Sequence, residues 1–321
     1  MSERRILVVA HAHREDTVDA AVRVAGLLRA SGAVPVLAHD DRAELAELAP
    51  VLADVAVLGR DIALADIDLA IVLGGDGTIL RAAELVREGT APVLGINMGH
   101  VGFLAEIDRD AMDAAVQRAV DGDYAVEERL ALDVRVKDRT GRVVYETWAL
   151  NEATVEKDSR EKMIEVVIEI DKRPLSTFGA DGVVIATPTG STAYNFSAGG
   201  PVIWPTVQAI AVVPLSAHAL FARPLVVGPE HAVAVEVLEG GAGASAVLWC
   251  DGRRSHPLPP GARVSVRRSP QPVRLARLHP AAFTDRLVRK FKLPVEGWRG
   301  PADPMATGVI DAIPALSEAA E

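Results

Sequence analysis

The chain has 321 residues, enough for two domains, and 49% of them are hydrophobic, so sizeable cores fit its composition. A formal net charge of −10 with no long Lys/Arg run argues against nucleic-acid binding. No apolar span reaches transmembrane length, the start Met1-Ser2-Glu3-Arg4-Arg5 lacks a signal-peptide apolar stretch, and Cys250 is the single cysteine; the expectation is a soluble cytoplasmic protein with no disulfide and no membrane partner.

From the N-terminus, strand-like and helix-like segments alternate. Strands are expected at 5–10, 35–38, 69–73 and 92–96, and helices at 16–30, 42–48, 79–88 and 109–120, with an apolar run of undecided state at 55–58. Val18, Val22, Ala25 and Leu28 carry the helical spacing of the first helix, and Thr78 and Asp108 are placed to cap the third and fourth. The alternation predicts a Rossmann-like α/β domain over residues 1–121, a parallel sheet covered on both faces. Ligands of such sheets lie beyond the carboxyl ends of the strands, where 74–78 and 95–102 fall.

Past Asp121 the period becomes two. Alternation at 131–137, 143–149, 164–170, 232–238, 246–250, 263–266 and 273–278 predicts a mainly β second domain over 122–280, an all-β sandwich of two packed sheets. The turn Asp138-Arg139-Thr140-Gly141 makes the first two of these strands a hairpin. A closing helix is expected at 283–291, within 281–292, and 293–321, with four prolines, reads as a peripheral or disordered tail.

Three segments carry chemistry. The apolar run Leu69–Leu73 ends in Gly74-Gly75-Asp76-Gly77-Thr78. Glycines there permit positive φ and a close ligand approach, and amide N–H groups at a helix start suit phosphate. A carboxylate in such a cradle is unfavourable unless it takes a proton or binds a metal, which points to Asp76 as the base in phosphoryl transfer to a hydroxyl. An ordinary strand-to-helix turn would use the same residues. The motif is not a P-loop, and Leu80 at the sixth position spoils a dinucleotide fingerprint.

The second segment runs from the strand 182–186 into Thr187-Pro188-Thr189-Gly190-Ser191-Thr192 and a small-residue helix start. Its hydroxyls and amides suit sugar hydroxyls and phosphates, or simply cap a helix. The third is Asn151-Glu152 at a strand end, able to bind a ribose diol, or a metal through the acid, or to be merely solvated. Lys157, Arg160 and Lys162 beyond it read as a solvated loop from which one cation can neutralise a ligand phosphate, and His11 and His13 as a polar loop at the sheet edge. Cys250 sits in an apolar run as a core thiol. The histidines and the lone cysteine show no zinc spacing, and no protein metal ligand is assigned.

Taken together these segments resemble the NAD kinase family. The match rests on Gly74-Gly75-Asp76-Gly77-Thr78, on Gly95-Ile96-Asn97-Met98-Gly99-His100-Val101-Gly102-Phe103-Leu104, on Asn151-Glu152, on Asp181-Gly182-Val183 through Pro201, and on Pro214-Leu215-Ser216-Ala217-His218-Ala219-Leu220-Phe221-Ala222-Arg223-Pro224. The first motif is shared with phosphofructokinases and lipid kinases; the block from Asp181 to Gly200 is more specific. Phe221-Ala222 departs from the small or polar residues expected before Arg223-Pro224.

The resemblance implies an α/β domain and a β-sandwich with the active site between them, and transfer of a phosphoryl group to the adenosine ribose 2′-hydroxyl of NAD, giving NADP. The donor is ATP or, in some members, inorganic polyphosphate, with Mg²⁺ or a related divalent cation. Asp76 matches the proton acceptor, Gly77 lies against the substrate, and Arg81 matches a position that can reach the ligand. Asn151 and Glu152 match the dinucleotide-binding pair, and Lys162 a basic position of the substrate loop. Asp181 and Thr192, Ala193, Tyr194, Asn195, Phe196 and Ser197 match segments that contact NAD, often across a subunit interface of a homo-oligomer, a dimer or tetramer. Two other readings compete: a lipid kinase, for which no docking surface is evident, and a non-catalytic dinucleotide sensor, which has no need of Asp76.

Overall fold

A computed structural model of the chain describes residues 3–295 apart from 13, 100–101, 161, 240–244 and 280–281. His13, His100, Val101 and the tail past Val295 therefore lie outside the described residues. In chain order the elements are β1 (Arg5–Ala10), α1 (Glu15–Ala30), β2 (Val34–Leu37), α2 (His39–Leu48), β3 (Ala56–Val57), β4 (Leu69–Leu73), α3 (Asp76–Leu85), β5 (Val93–Asn97), β6 (Ile107–Asp108) and α4 (Met112–Asp121). There follow β7 (Ala125–Arg129), β8 (Leu132–Lys137), β9 (Val143–Ala149), β10 (Glu152–Lys157), β11 (Ile164–Ile170), β12 (Arg173–Ala180) and β13 (Gly182–Ala186). The last are α5 (Tyr194–Ser197), β14 (Ile210–Leu215), β15 (Leu225–Val227), β16 (Val233–Val237), β17 (Ala246–Cys250), β18 (Arg254–Leu258), β19 (Arg263–Arg268), β20 (Val273–Arg277) and α6 (Phe283–Phe291).

The first sheet runs β3-β2-β1-β4-β5-β20-β7, with β6 beside β5. Its central strands are buried on both faces, which is why β4 and β5 read as unbroken apolar runs. On one face Ile6, Val8, Ile71 and Leu73 pack against Val24 and Leu28 of α1 and Met112 and Val116 of α4. On the other, Leu7, Val9, Ala70 and Val72 pack against Ile79, Leu80 and Ala83 of α3.

Two six-stranded antiparallel sheets, β15-β14-β13-β10-β17-β18 and β12-β11-β16-β19-β8-β9, form the sandwich. Val155, Val183, Ile185 and Leu248 from one meet Val134, Val166, Val235 and Val264 from the other in a shared core. Cys250 lies in that core, and desolvation pushes its thiol up to about 12, so it is an inert packing group.

The structure corrects several expectations. The strand expected at 273–278 forms as β20, but it joins the first sheet, parallel to β5 at Leu275↔Val93 and antiparallel to β7. Alternation identifies a strand; it carries no information about the partner, so 125–129 and 273–277, placed in the β domain by their position in the chain, complete the α/β sheet instead. α3 starts at Asp76 with Gly75 as its N-cap, so Thr78 is a buried residue inside the first turn and not the cap. A 3-10 turn over Arg109–Ala111 precedes α4. The undecided run at 55–58 contributes the edge strand β3. α6 belongs to a second unit, 282–321, and places Phe283, Leu287, Val288 and Phe291 on one side of its wheel and Arg286, Arg289 and Lys290 on the other. Among the described residues no helix is long and apolar enough to cross a membrane.

Candidate active site

The Gly74–Thr78 turn closes β4 onto α3 at the carboxyl edge of the first sheet. Its glycines act by closeness, since none of Gly74, Gly75 and Gly77 is among the positive-φ residues. A Cβ on Gly74 would lie 2.4 Å from Thr78 Oγ1, so the turn cannot tighten with any larger residue. At Gly75 and Gly77 a Cβ would meet no protein atom within 4 Å, which leaves the outer face of the turn open to a ligand.

Asp76 resolves its electrostatic problem in a way the sequence did not show. Its Oδ2 accepts the Phe103 N–H at 2.9 Å and its Oδ1 the Leu104 N–H at 2.9 Å. Neither a proton nor a metal is needed to hold the carboxylate there; two amides and the start of α3 do it. Gly102 permits this, because a Cβ at that position would sit 2.3 Å from Asp76 Oδ1. Arg277 of β20 anchors the same loop from behind: its Nη1 donates to the Leu104 carbonyl at 3.1 Å, and it pairs with Glu127 at 2.7 Å and Glu106 at 3.5 Å.

Arg81 is turned to a structural task. Its guanidinium pairs with Asp41 of α2, a carboxylate only 4% exposed. Desolvation raises the Asp41 pKa while Arg81 and His11 oppose the rise. Arg81 therefore locks α3 to α2 beside the first sheet.

The second wall of the site is Asn151-Glu152, both buried. Leu150 packs in the same cluster as Ile79, Leu80 and Leu104, so the pair emerges at the seam that carries the Asp76 turn. Asp251 shapes its backbone, accepting the Asn151 N–H at 2.7 Å and the Leu150 N–H at 3.0 Å. Thr187 donates from Oγ1 to the Leu150 carbonyl and from its N–H to the Asn151 carbonyl at 2.9 Å. Gly190 crosses so near that a Cβ there would lie 2.0 Å from Asn151 O. Thr187 was read from the sequence as one of the hydroxyls of the ligand-binding or capping loop, whereas Asp251 was not singled out; its one available signal was Asp251-Gly252, a turn dipeptide whose residues take φ of 55° and 63°.

Glu152 is a strongly perturbed carboxyl of this wall. Desolvation raises its pKa to about 8, repulsion from Asp251 adds to the rise, and the Tyr194 backbone N–H opposes it. Its Oε2 is buried without a hydrogen-bond partner. Because the folded pKa lies above the unfolded value, the folded state holds the extra proton, and this contribution to stability is lost as pH rises through about 8. Glu152→Gln removes the titration. Its melting temperature relative to the parent is expected to climb between about pH 5 and about pH 8 and to level off above that, read by thermal denaturation of both proteins. A flat difference across that range refutes the assignment.

The remaining expected residues divide. Thr192 and Ala193 are half-buried, and Tyr194, Phe196 and Ser197 are exposed around α5. Asn195 is wholly buried: its Nδ2 donates to Ser191 O at 3.1 Å and Pro201 O at 3.0 Å, so it shapes the loop from inside. Asp181 pairs with Lys157 at 2.5 Å, and that contact holds its carboxyl below the usual range. Lys157 thus belongs to a strand end, not to a solvated loop, while Lys162 is exposed in the loop before β11.

Comparison with known proteins decides the family. The ATP-NAD kinase N-terminal domain model matches residues 6–124, and the ATP-NAD kinase C-terminal domain model matches residues 150–278. The chain belongs to the NAD kinase family. It is thereby an enzyme, a phosphotransferase. A NAD kinase of Leifsonia xyli is 64% identical over 300 residues, covering 94% of this chain and 98% of that protein. NAD kinase 2 of Streptomyces coelicolor is 55% identical over 300 residues, covering 92% and 97%. The crystal structure of yeast NADH kinase complexed with NADH superposes with a TM-score of 0.81 at 23% identity, covering 92% of this chain and 89% of that one, which confirms the two-part fold.

Proposed function

We propose that this family member transfers a phosphoryl group from ATP to the adenosine ribose 2′-hydroxyl of NAD, giving NADP, with Asp76 as the proton acceptor. The observation that carries the assignment is the Asp76 carboxylate, oriented by the Phe103 and Leu104 amides beside the open face of Gly75 and Gly77. A ribose hydroxyl is a poor nucleophile, so an aligned carboxylate that takes its proton as the O–P bond forms lowers the barrier. The proton passes to Asp76 and the donor's bridging P–O bond breaks to release ADP.

Asn151 and Glu152 are assigned to the dinucleotide. A Glu152 held neutral by burial can donate a hydrogen bond to a sugar oxygen, and its unpartnered Oε2 has capacity to accept one. Gly77, Asp181, Lys162, Thr192, Ala193, Tyr194, Phe196 and Ser197 are assigned to surrounding contacts, and Asn195 and Arg81 to supporting them. Among the described residues no group of three or more His, Cys, Asp or Glu side chains could hold a metal ion by itself. A divalent cation, Mg²⁺ being the natural choice, accordingly fits as part of the donor complex, bound chiefly by phosphates and water. When bound it neutralises phosphate charge.

We assign the enzyme to the cytoplasm as a homo-oligomer, a dimer or tetramer. The large exposed apolar side chains Tyr194, Phe196, Leu220, Phe221 and Val226 on or beside the adjacent strands β13, β14 and β15 support self-association. The deciding experiment is a coupled NADP-formation assay on purified protein of known sedimentation mass, with ATP and polyphosphate compared, with and without a chelator. NADP formation with ATP that stops on chelation is expected. NAD binding without NADP formation would establish a sensor instead.

A further inference from the structure

Glu84 lies about two turns along α3 from Asp76 and reaches the β17–β18 turn of the sandwich. Its Oε2 is 3.0 Å from Arg253 Nε and its Oε1 3.0 Å from Arg254 Nε. Arg254 Nη2 then donates to Asp251 Oδ2 at 2.6 Å. Asp251, its side chain only 1% exposed, holds the Asn151 and Leu150 amides. The Arg254 guanidinium also lies 4.5 Å from the centre of the Trp148 ring, and that of Arg87, from the loop after α3, lies 4.5 Å from the same ring. Two charge-assisted hydrogen bonds, Arg253 to Glu84 and Arg254 to Asp251, are thus bridged by the Glu84–Arg254 ion pair, whose facing atoms Glu84 Oε1 and Arg254 Nε are in contact without a hydrogen bond, and together they join the helix that opens with Asp76 to the backbone of the Asn151-Glu152 pair.

We propose that Glu84, Arg254 and Asp251 form a positioning strut that sets the dinucleotide-binding pair against Asp76. None of the three is a catalytic residue; each acts through another. The inference rests on the NAD kinase reading of the site. Its physical ground is direction. Burying charges is expensive, and apolar residues of similar volume hold two layers together at least as well. Buried hydrogen-bonded and ion-paired charges differ from apolar contacts in fixing the direction in which their partners lie, and a displacement of about 1 Å between reacting groups costs on the order of a hundredfold in rate.

The test is a double-mutant cycle on the full chain with Glu84→Gln and Asp251→Asn, measuring kcat and KM for NAD, KM for ATP, and thermal unfolding. Glu84 is 23% exposed, so Glu84→Gln is expected to fold and to melt within a few degrees of the parent. Each single change is expected to lower kcat/KM for NAD at least about tenfold, with KM for ATP within about twofold. The double variant should lose no more than the worse single one, because either change breaks the same line. Should Asp251→Asn fail to fold, Arg254→Lys takes its place, keeping the charge without the fork and giving an intermediate loss. Multiplying losses, equal shifts in both KM values, or parental kinetics in Glu84→Gln overturn the strut. NADP formation by the parent protein in the same assay separates failure of the strut from failure of the kinase reading.

Discussion

Asp76→Asn is expected to lower kcat for NADP formation by about 10²–10⁴-fold, the range over which a positioned general base contributes. The substitution preserves shape and removes the proton acceptor. It also turns an amide NH₂ toward one of the two N–H donors of Phe103 and Leu104, and such a mismatch costs about 1–3 kcal/mol. Three measurements separate the roles: kcat, equilibrium NAD binding and thermal unfolding. Loss of turnover with binding retained identifies the base. Loss of both makes Asp76 chiefly the anchor of the 102–104 loop, and near-parental turnover removes it from the chemistry.

Gly190→Ala has the second large expected effect, and it acts on geometry. The new methyl would sit 2.0 Å from the Asn151 carbonyl oxygen and 2.3 Å from its carbonyl carbon, so it presses on backbone, which cannot rotate away. Either the Thr187–Thr192 loop lifts or Asn151 moves. The expected destabilisation is about 1–3 kcal/mol, with a melting point about 2–4 °C lower per kcal/mol. KM for NAD should rise at least about tenfold while KM for ATP changes little, since the pressed residue is the one we assign to the dinucleotide. Unchanged kinetics with NAD would show that the Asn151-Glu152 pair does not bind it.

Both variants test residues whose importance was legible in the sequence, yet neither effect was. Asp76 stood out because a carboxylate among glycines is chemically odd. That its oxygens are satisfied by amides 27 and 28 residues away depends on Gly102 letting the loop close, a contact between distant segments that no local pattern encodes. Arg81 and Asn195 show the reverse. Their positions matched ligand-contacting segments, but the folded chain commits one to Asp41 and the other to the Ser191 and Pro201 carbonyls. A polar side chain carries the same donors whether it serves a ligand or its own loop, and burial decides between the two.

The sequence by itself determined the kinds of element and the chemistry of the motifs. Period and run length are properties of a single segment, so the α/β alternation, the sandwich strands and the carboxylate turn were all readable in it. Only the tertiary structure decided which segments meet. Strand β20 sits beside β5, Arg277 steadies the loop that holds Asp76, and Asp251 with Arg254 and Glu84 joins the two walls of the site. Pairings across a hundred or more residues depend on which surfaces remain to be buried once each local element has formed, and that is settled by the packing of the whole chain.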